Sequence, residues 1–134
     1  MLKLAHIALS VSNINKSAHF YRKHFGFKLA RKYPHKEIGL TIAVINKGDI
    51  SLELFEFKKR HALPNYRKDL NNDLKTIGAK HFSFAVSDIE GEYKRLKKSG
   101  VKLATPIRIF DNGLRYFFIK DPNGILLELM EVKK

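Results

Sequence analysis

The chain is written twice. Displaced by 75 residues, LAHIALSVSNI (4–14) falls on AKHFSFAVSDI (79–89), and DISLELFEF (49–57) falls on GILLELMEV (124–132). Two separated segments that keep one offset mark an internal repeat, and a repeat dictates architecture before any single element is assigned. The same offset carries His6 onto His81, Glu53 onto Glu128 and Glu56 onto Glu131.

Between the matched segments each copy carries a helix signal. NKSAHFYRKHF (15–25) places Ala18, Phe20, Tyr21 and Phe25 at helical spacing and stops at Gly26, while IEGEYKRLKKSG (89–100) puts Ile89, Tyr93 and Leu96 on one stripe and stops at Gly100. Extended segments follow. In the first copy they are FKLARKY, LTIAVIN and, after a Gly48-Asp49 turn, ISLELFEF. In the second they are VKLATPIRIF, then an Asn112-Gly113 hairpin signal, LRYFFIK, a DPNG turn and ILLELMEV. Each copy reads βαβββ. The predicted fold is α+β, with module one over 1–57, a polar, Pro-containing connection over 58–77 and module two over 78–134. Neither module can bury both its sheet and its helix alone, so the two are expected to pair in a single domain as one curved, open mixed sheet.

Composition narrows the chemistry. With 134 residues, 44% hydrophobic and 29% charged, the chain has room for one compact domain with a core. It has no cysteine, which excludes disulfides, thiolate metal sites and cysteine nucleophiles, so any metal must be held by nitrogen and oxygen. A net charge of +13 and a pI near 10.0 raise nucleic acid as a partner. The basic residues are spread along the chain, however, without zinc-finger spacing, an RNP-type aromatic motif or a basic helix running into heptads. The reading is therefore no nucleic acid, and a Lys-rich surface with a place for an anionic small molecule. MLKLAHIALSV is short, interrupted by His6 and Ser10, and lacks a small-residue cleavage pattern. No run approaches the roughly 20 apolar residues of a membrane span. A cytoplasmic protein with no membrane partner is expected.

The strands themselves pose a chemical problem. Side chains alternate across a strand, so Glu128 shares a face with Leu126, Met130 and Val132, and Glu53 with Ser51, Phe55 and Phe57. An unpartnered carboxylate on a buried face costs several kcal/mol, so it needs a compensating charge. His6 shares its face with Leu4, Ala8 and Ser10, and His81 with Ala79, Ser83 and Ala85. Any one of these groups alone reads as a satisfied core histidine or a solvated glutamate. Two imidazoles and two carboxylates at repeat-equivalent points form a donor set for a divalent cation, which neutralises both acids. Glu56 and Glu131 fall on the opposite face, as surface charges or helix contacts. His19, His24, His35 and His61 lie among lysines and arginines on predicted helices or loops and read as exposed bystanders.

Paired βαβββ modules with a histidine in the first strand and a glutamate in the last strand of each resemble the vicinal oxygen chelate superfamily. That superfamily includes glyoxalase I, methylmalonyl-CoA epimerase, extradiol dioxygenases, and fosfomycin and bleomycin resistance proteins. FYRKHFGFKL is similar to its helix-to-strand segment and KDPNGILLELMEV to its closing hairpin and strand. By residue type, His6, Glu53, His81 and Glu128 resemble the two-histidine, two-glutamate set of glyoxalase I. The epimerase pattern has glutamine at the position of Glu53, and the dioxygenase and fosfomycin-resistance sites use two histidines and one glutamate. FKKRHALPN, after Glu53, departs from glyoxalase I.

The resemblance implies a metal-dependent lyase or isomerase of the lactoylglutathione lyase type, acting on a small 2-oxo or thiohemiacetal substrate. Its four ligands would hold nickel, cobalt, zinc or manganese. Glu128 would shuttle a proton between adjacent carbons through a metal-bound enediolate, with Glu53 as its counterpart. Arg108 and Arg115 are the candidate anchors for an anionic substrate, and a homodimer is implied. The alternatives are an iron-dependent dioxygenase of the same fold and a non-catalytic small-molecule binding or resistance protein.

Overall fold

Asn13 starts the first module's helix by accepting the Lys16 N–H on its side chain at 2.9 Å, and Asp88 does the same for the Gly91 N–H at 2.9 Å in the second. Around these caps the computed structural model, which describes residues 1–133, places the elements in the predicted repeat order. The first copy runs β1 (Ile7–Ser10), α1 (Ile14–Phe25), β2 (Lys28–His35), β3 (Leu40–Lys47) and β4 (Ile50–Phe57). The second opens with two short helices, α2 (Asn65–Lys68) and α3 (Leu70–Lys75), inside the predicted connection. It continues as β5 (Phe82–Val86), α4 (Ile89–Lys98), β6 (Lys102–Leu103), β7 (Arg108–Ile109), β8 (Arg115–Lys120) and β9 (Leu126–Glu131).

The chain divides into two compact units, Met1–Ala62 and Leu63–Lys134. The fold is α+β, with two open mixed sheets rather than one continuous ladder: β1-β4-β3-β2 in the first unit and β5-β9-β8-β6 in the second, with β7 also on β8. In both, the first strand lies parallel to the last while the remaining pairs are antiparallel. The helical crossover makes this possible, since parallel neighbours cannot be joined by a tight turn.

Strand parity sorts each sheet into two faces. In the first unit Leu52 and Leu54 are fully buried, as is Tyr21 of α1, which packs on this sheet. In the second, Phe117, Ile119, Leu127 and Leu129 are buried with Ile89 and Leu96 of α4. Each such side chain contributes roughly 1.5–3 kcal/mol when fully removed from water. Glu56 lies on the helix face and its Oε2 accepts the Ile14 N–H at 2.7 Å. Its repeat partner Glu131 accepts from the Ile89 N–H. Each last strand thus delivers a carboxylate to the N-terminus of its own module's helix, where backbone N–H groups lack partners.

Two departures from the sequence reading have local causes. VKLATPIRIF does not form one strand but splits into β6 and β7, because Pro106 has no N–H to give to β8 and sits at the break. His35 lies at the end of β2 rather than in a loop; β2 is an edge strand, which tolerates its neighbour Pro34. Among the described residues no helix is long and apolar enough to cross a membrane.

Candidate metal site

The parallel pairing of first and last strands decides where the proposed ligands fall. Ala8 is opposite Glu53 in the β1–β4 ladder, and Ser83 is opposite Glu128 in the β5–β9 ladder. His6 and His81 each lie two residues ahead of those positions, on the same face as the glutamate. His6 Nε2 is 3.5 Å from Glu53 Oε2, and His81 Nε2 is 3.7 Å from Glu128 Oε2. The internal repeat has produced two matching His–Glu pairs.

The histidines are not in strand interiors, as the alternation pattern suggested. Pairing to the last strand begins at Ile7 and at Phe82, so each imidazole stands one residue ahead of its ladder. The face is also more open than expected. The side chains of His6 and Glu53 are 45% and 18% exposed, and those of His81 and Glu128 are 23% and 6%. The first pair is wet, and the second is nearly dry.

The second pair carries the unmet demand. The His81 ring stands edge-on to Phe118, centroids 4.8 Å apart at 87°, and its Nδ1 is buried without a hydrogen-bond partner. Glu128 is buried, and at 3.7 Å the His81 nitrogen is beyond hydrogen-bond range. Two donors bound about 2.1 Å from one ion lie roughly 3.0–3.4 Å apart, so both pairs need close only slightly to chelate. Imidazole and carboxylate are also the donors that suit zinc, nickel, cobalt or manganese. The donor types and spacing of each pair are compatible with a divalent ion. Among the described residues no three His, Asp or Glu side chains cluster as a ready-made metal site, and each module supplies one pair.

The two candidate anchors separate by parity. Ile109 is opposite Arg115 and Arg108 opposite Tyr116, while Phe118 is opposite Glu128. Arg108 and Tyr116 therefore share the Glu128 face, and Arg115 lies on the helix face with Phe117. There it is fully engaged: Nε and Nη2 donate to the two Glu131 oxygens at 2.7 Å each, and Nη1 donates to Glu90 Oε1 at 2.8 Å. Arg115 is a structural clamp between β8, β9 and α4, and it does not reach the Glu128 face. Tyr116 and Phe118, which the sequence reading did not single out, line that face. Their signal was parity with Glu128, legible only once the hairpin register is known.

The clamp predicts a pH dependence. The Arg115 guanidinium holds the Glu131 carboxyl below the usual carboxylate range, and its own pKa is raised in return. A carboxyl depressed in the folded state contributes its stability in full above its unfolded pKa, and loses it as pH falls through the folded value. Thermal melts from about pH 6 to pH 2 should therefore show a smaller acid-induced loss in Glu131→Gln than in wild type. Parallel curves would show the clamp adds nothing.

With this geometry in view, the family is decided by comparison. The sequence profile of the Glyoxalase/Bleomycin resistance protein/Dioxygenase superfamily matches residues 3–129. The chain belongs to that superfamily. A lactoylglutathione lyase of Neisseria meningitidis is 28% identical over 133 residues, covering 98% of this chain and 92% of the relative. Human mitochondrial methylmalonyl-CoA epimerase is 28% identical over 130 residues, covering 95% of this chain and 72% of the relative. The crystal structure of a glyoxalase family protein from Enterococcus faecalis matches with a TM-score of 0.83 at 28% identity, covering 96% of this chain and 97% of that one. A lyase and an epimerase thus stand at equal identity to this member of the glyoxalase superfamily.

Proposed function

We propose that this glyoxalase-superfamily protein is a metal-dependent lyase or isomerase of the glyoxalase I type, moving a proton between adjacent carbons of a small 2-oxo or thiohemiacetal substrate. The observation that carries the reading is the repetition of one His–Glu pair in both modules, at 3.5 and 3.7 Å. In it, His6 with Glu53 and His81 with Glu128 would supply the ligands for a divalent ion, nickel, cobalt, zinc or manganese. A bound ion supplies Lewis acidity, drawing negative charge onto the substrate oxygens.

The remaining work belongs to side chains. A Glu128 carboxylate oxygen takes the proton from the carbon beside the carbonyl and returns it to the neighbouring carbon, so the reaction needs no redox partner. Its dry position, with Leu126 and Phe118 also buried, keeps bulk water from competing for that proton. Phe118 fixes the plane of the His81 ring, and Glu53 is the more exposed counterpart of Glu128. Arg108, exposed at the edge of the same face, is the anchor for an anionic substrate.

The epimerase relative favours a second reading in which the proton returns to the opposite side of the same carbon. Glu53 counts against it, because the epimerase pattern resembled above has glutamine there. Metal content by plasma mass spectrometry on untagged, reconstituted protein tests the shared premise. About one ion per site in wild type, lost in His81→Ala, is the expected result. Wild type that stays metal-free would end the proposal and bring forward a non-catalytic binding protein.

A further inference from the structure

A cavity of about 310 Å³ opens in the second unit, between the α2–α3 turn and the edge of the sheet. Its lining includes Lys68, Asp69, Lys102, Thr105, Arg108 and Lys120. The opening follows from Pro106. Between β6 and β7 the ladder becomes irregular: the Ala104 and Thr105 N–H groups both donate to the Phe118 carbonyl, and buried Thr105, part of the cavity lining, accepts the Phe118 N–H on its hydroxyl at 3.0 Å.

The charges around this cavity are not balanced. Lys102 and Lys120 are directly opposite each other in the β6–β8 ladder, an arrangement that like charges disfavour. Among the described residues none of Lys68, Lys102, Arg108 and Lys120 takes part in an ion pair. Lys120 Nζ donates only to the Lys68 carbonyl, at 2.7 Å, and Lys68 Nζ to the Asn65 side chain, at 3.2 Å. The single acid in the lining, Asp69, uses a carboxylate oxygen to cap the Asn72 N–H at 3.0 Å. Arg115, in the same sheet, shows the contrast: it is held by two carboxylates.

We infer that this cavity is a phosphoryl-binding site, taking a phosphate or pyrophosphate group. Four cations against one acid exceed what a carboxylate, with one charge and two oxygens, can answer. A phosphate monoester brings about −1.5 to −2 charges and three strong acceptor oxygens, and pyrophosphate brings more. The volume sits at the small end of ligand pockets, of about 300–1,000 Å³, which suits such a group on the distal part of a larger molecule. Lys120 lies opposite Leu126, on the face where Phe118 lies opposite Glu128, two residues or about 7 Å along the strand. A phosphorylated substrate held here would present its reacting end toward Glu128. That last link rests on the function proposed above, whereas the binding site does not.

Titration calorimetry of metal-free protein with inorganic pyrophosphate tests the site separately from the metal. The variants are Lys102→Glu/Arg108→Glu and, as a control of equal charge change on exposed α4 positions, Lys94→Glu/Lys97→Glu. Wild type should bind with a Kd of about 1 mM or tighter, the cavity variant at least about tenfold more weakly, and the control within about twofold of wild type. No binding at about 10 mM, or an equal loss in the control, would overturn the inference, the second by showing diffuse attraction to a basic surface. So would a short oligonucleotide that binds this edge when pyrophosphate does not. Metal content is read on the same samples. Pyrophosphate binding in a protein that never takes up metal would keep the phosphoryl site and discard the proposed reaction.

Discussion

Glu128→Gln will leave the fold intact and remove turnover. Glutamine keeps the shape of the side chain but can neither accept the substrate proton nor offer a full charge to an ion. General-base contributions of this kind are worth about 10²–10⁴ in rate, and the weakened chelate adds to the loss, so a fall of about a thousandfold or more is expected. Stability should not fall with it. Glu128 is buried and His81 Nε2, at 3.7 Å, lies beyond hydrogen-bond range, so removing the carboxylate's charge relieves desolvation without breaking a hydrogen bond to that ring. The measurement pairs the rate on a thiohemiacetal or acyl thioester that wild type turns over with a urea melt of both proteins. Activity within about tenfold of wild type would remove Glu128 as the base.

Phe117→Ala is the stability counterpart. Phe117 is fully buried on the helix face of β8, with its ring edge-on to Tyr93 at 5.1 Å. Truncating a buried phenylalanine costs about 3–5 kcal/mol, from lost transfer energy and the cavity left behind. Urea unfolding followed by far-UV circular dichroism should show a loss of that size. Phe118→Leu, one residue away on the other face, should cost less than about 1.5 kcal/mol while releasing the His81 ring. Adjacent residues with opposite phenotypes would establish that β8 divides packing from chemistry. A Phe117→Ala loss below about 1 kcal/mol would contradict that division.

How much of this was legible beforehand depended on what each feature requires. The repeat could be read from the sequence because its offset is a property of the chain alone, and it gave the helix of each module, the βαβββ order of elements and the opposite facing of Glu53 and Glu56, and of Glu128 and Glu131, within their own strands. What was missed depended on pairing across space. Arg115 looked like a substrate anchor because no strand pattern reveals how β7 meets β8, and the observed register turns it toward α4. His6 and His81 looked like interior strand residues because ladders start where a partner is present, which alternation does not encode. The cavity was beyond reach for the same reason, since it needs the α2–α3 turn beside a sheet edge that Pro106 interrupts. The short helices also hid an anchor: Asp73, buried on α3, receives Arg67 Nε at 3.1 Å and lies 3.6 Å from Lys80 Nζ.

The two glutamates on each last strand have a consequence for error tolerance. Glu53 and Glu56, like Glu128 and Glu131, are three residues apart, an odd interval that sends one carboxylate to each side of the sheet. Sliding β9 by one residue along its neighbours would turn Glu128 toward α4, take Leu127 and Leu129 off the helix face and tear Glu131 from both Arg115 and the Ile89 N–H. Misalignment is therefore punished on both sides at once. The strand acts as a ratchet with a tooth on either edge, so the carboxylate proposed to handle the proton is held in position by one that grips the helix and Arg115 on the other side.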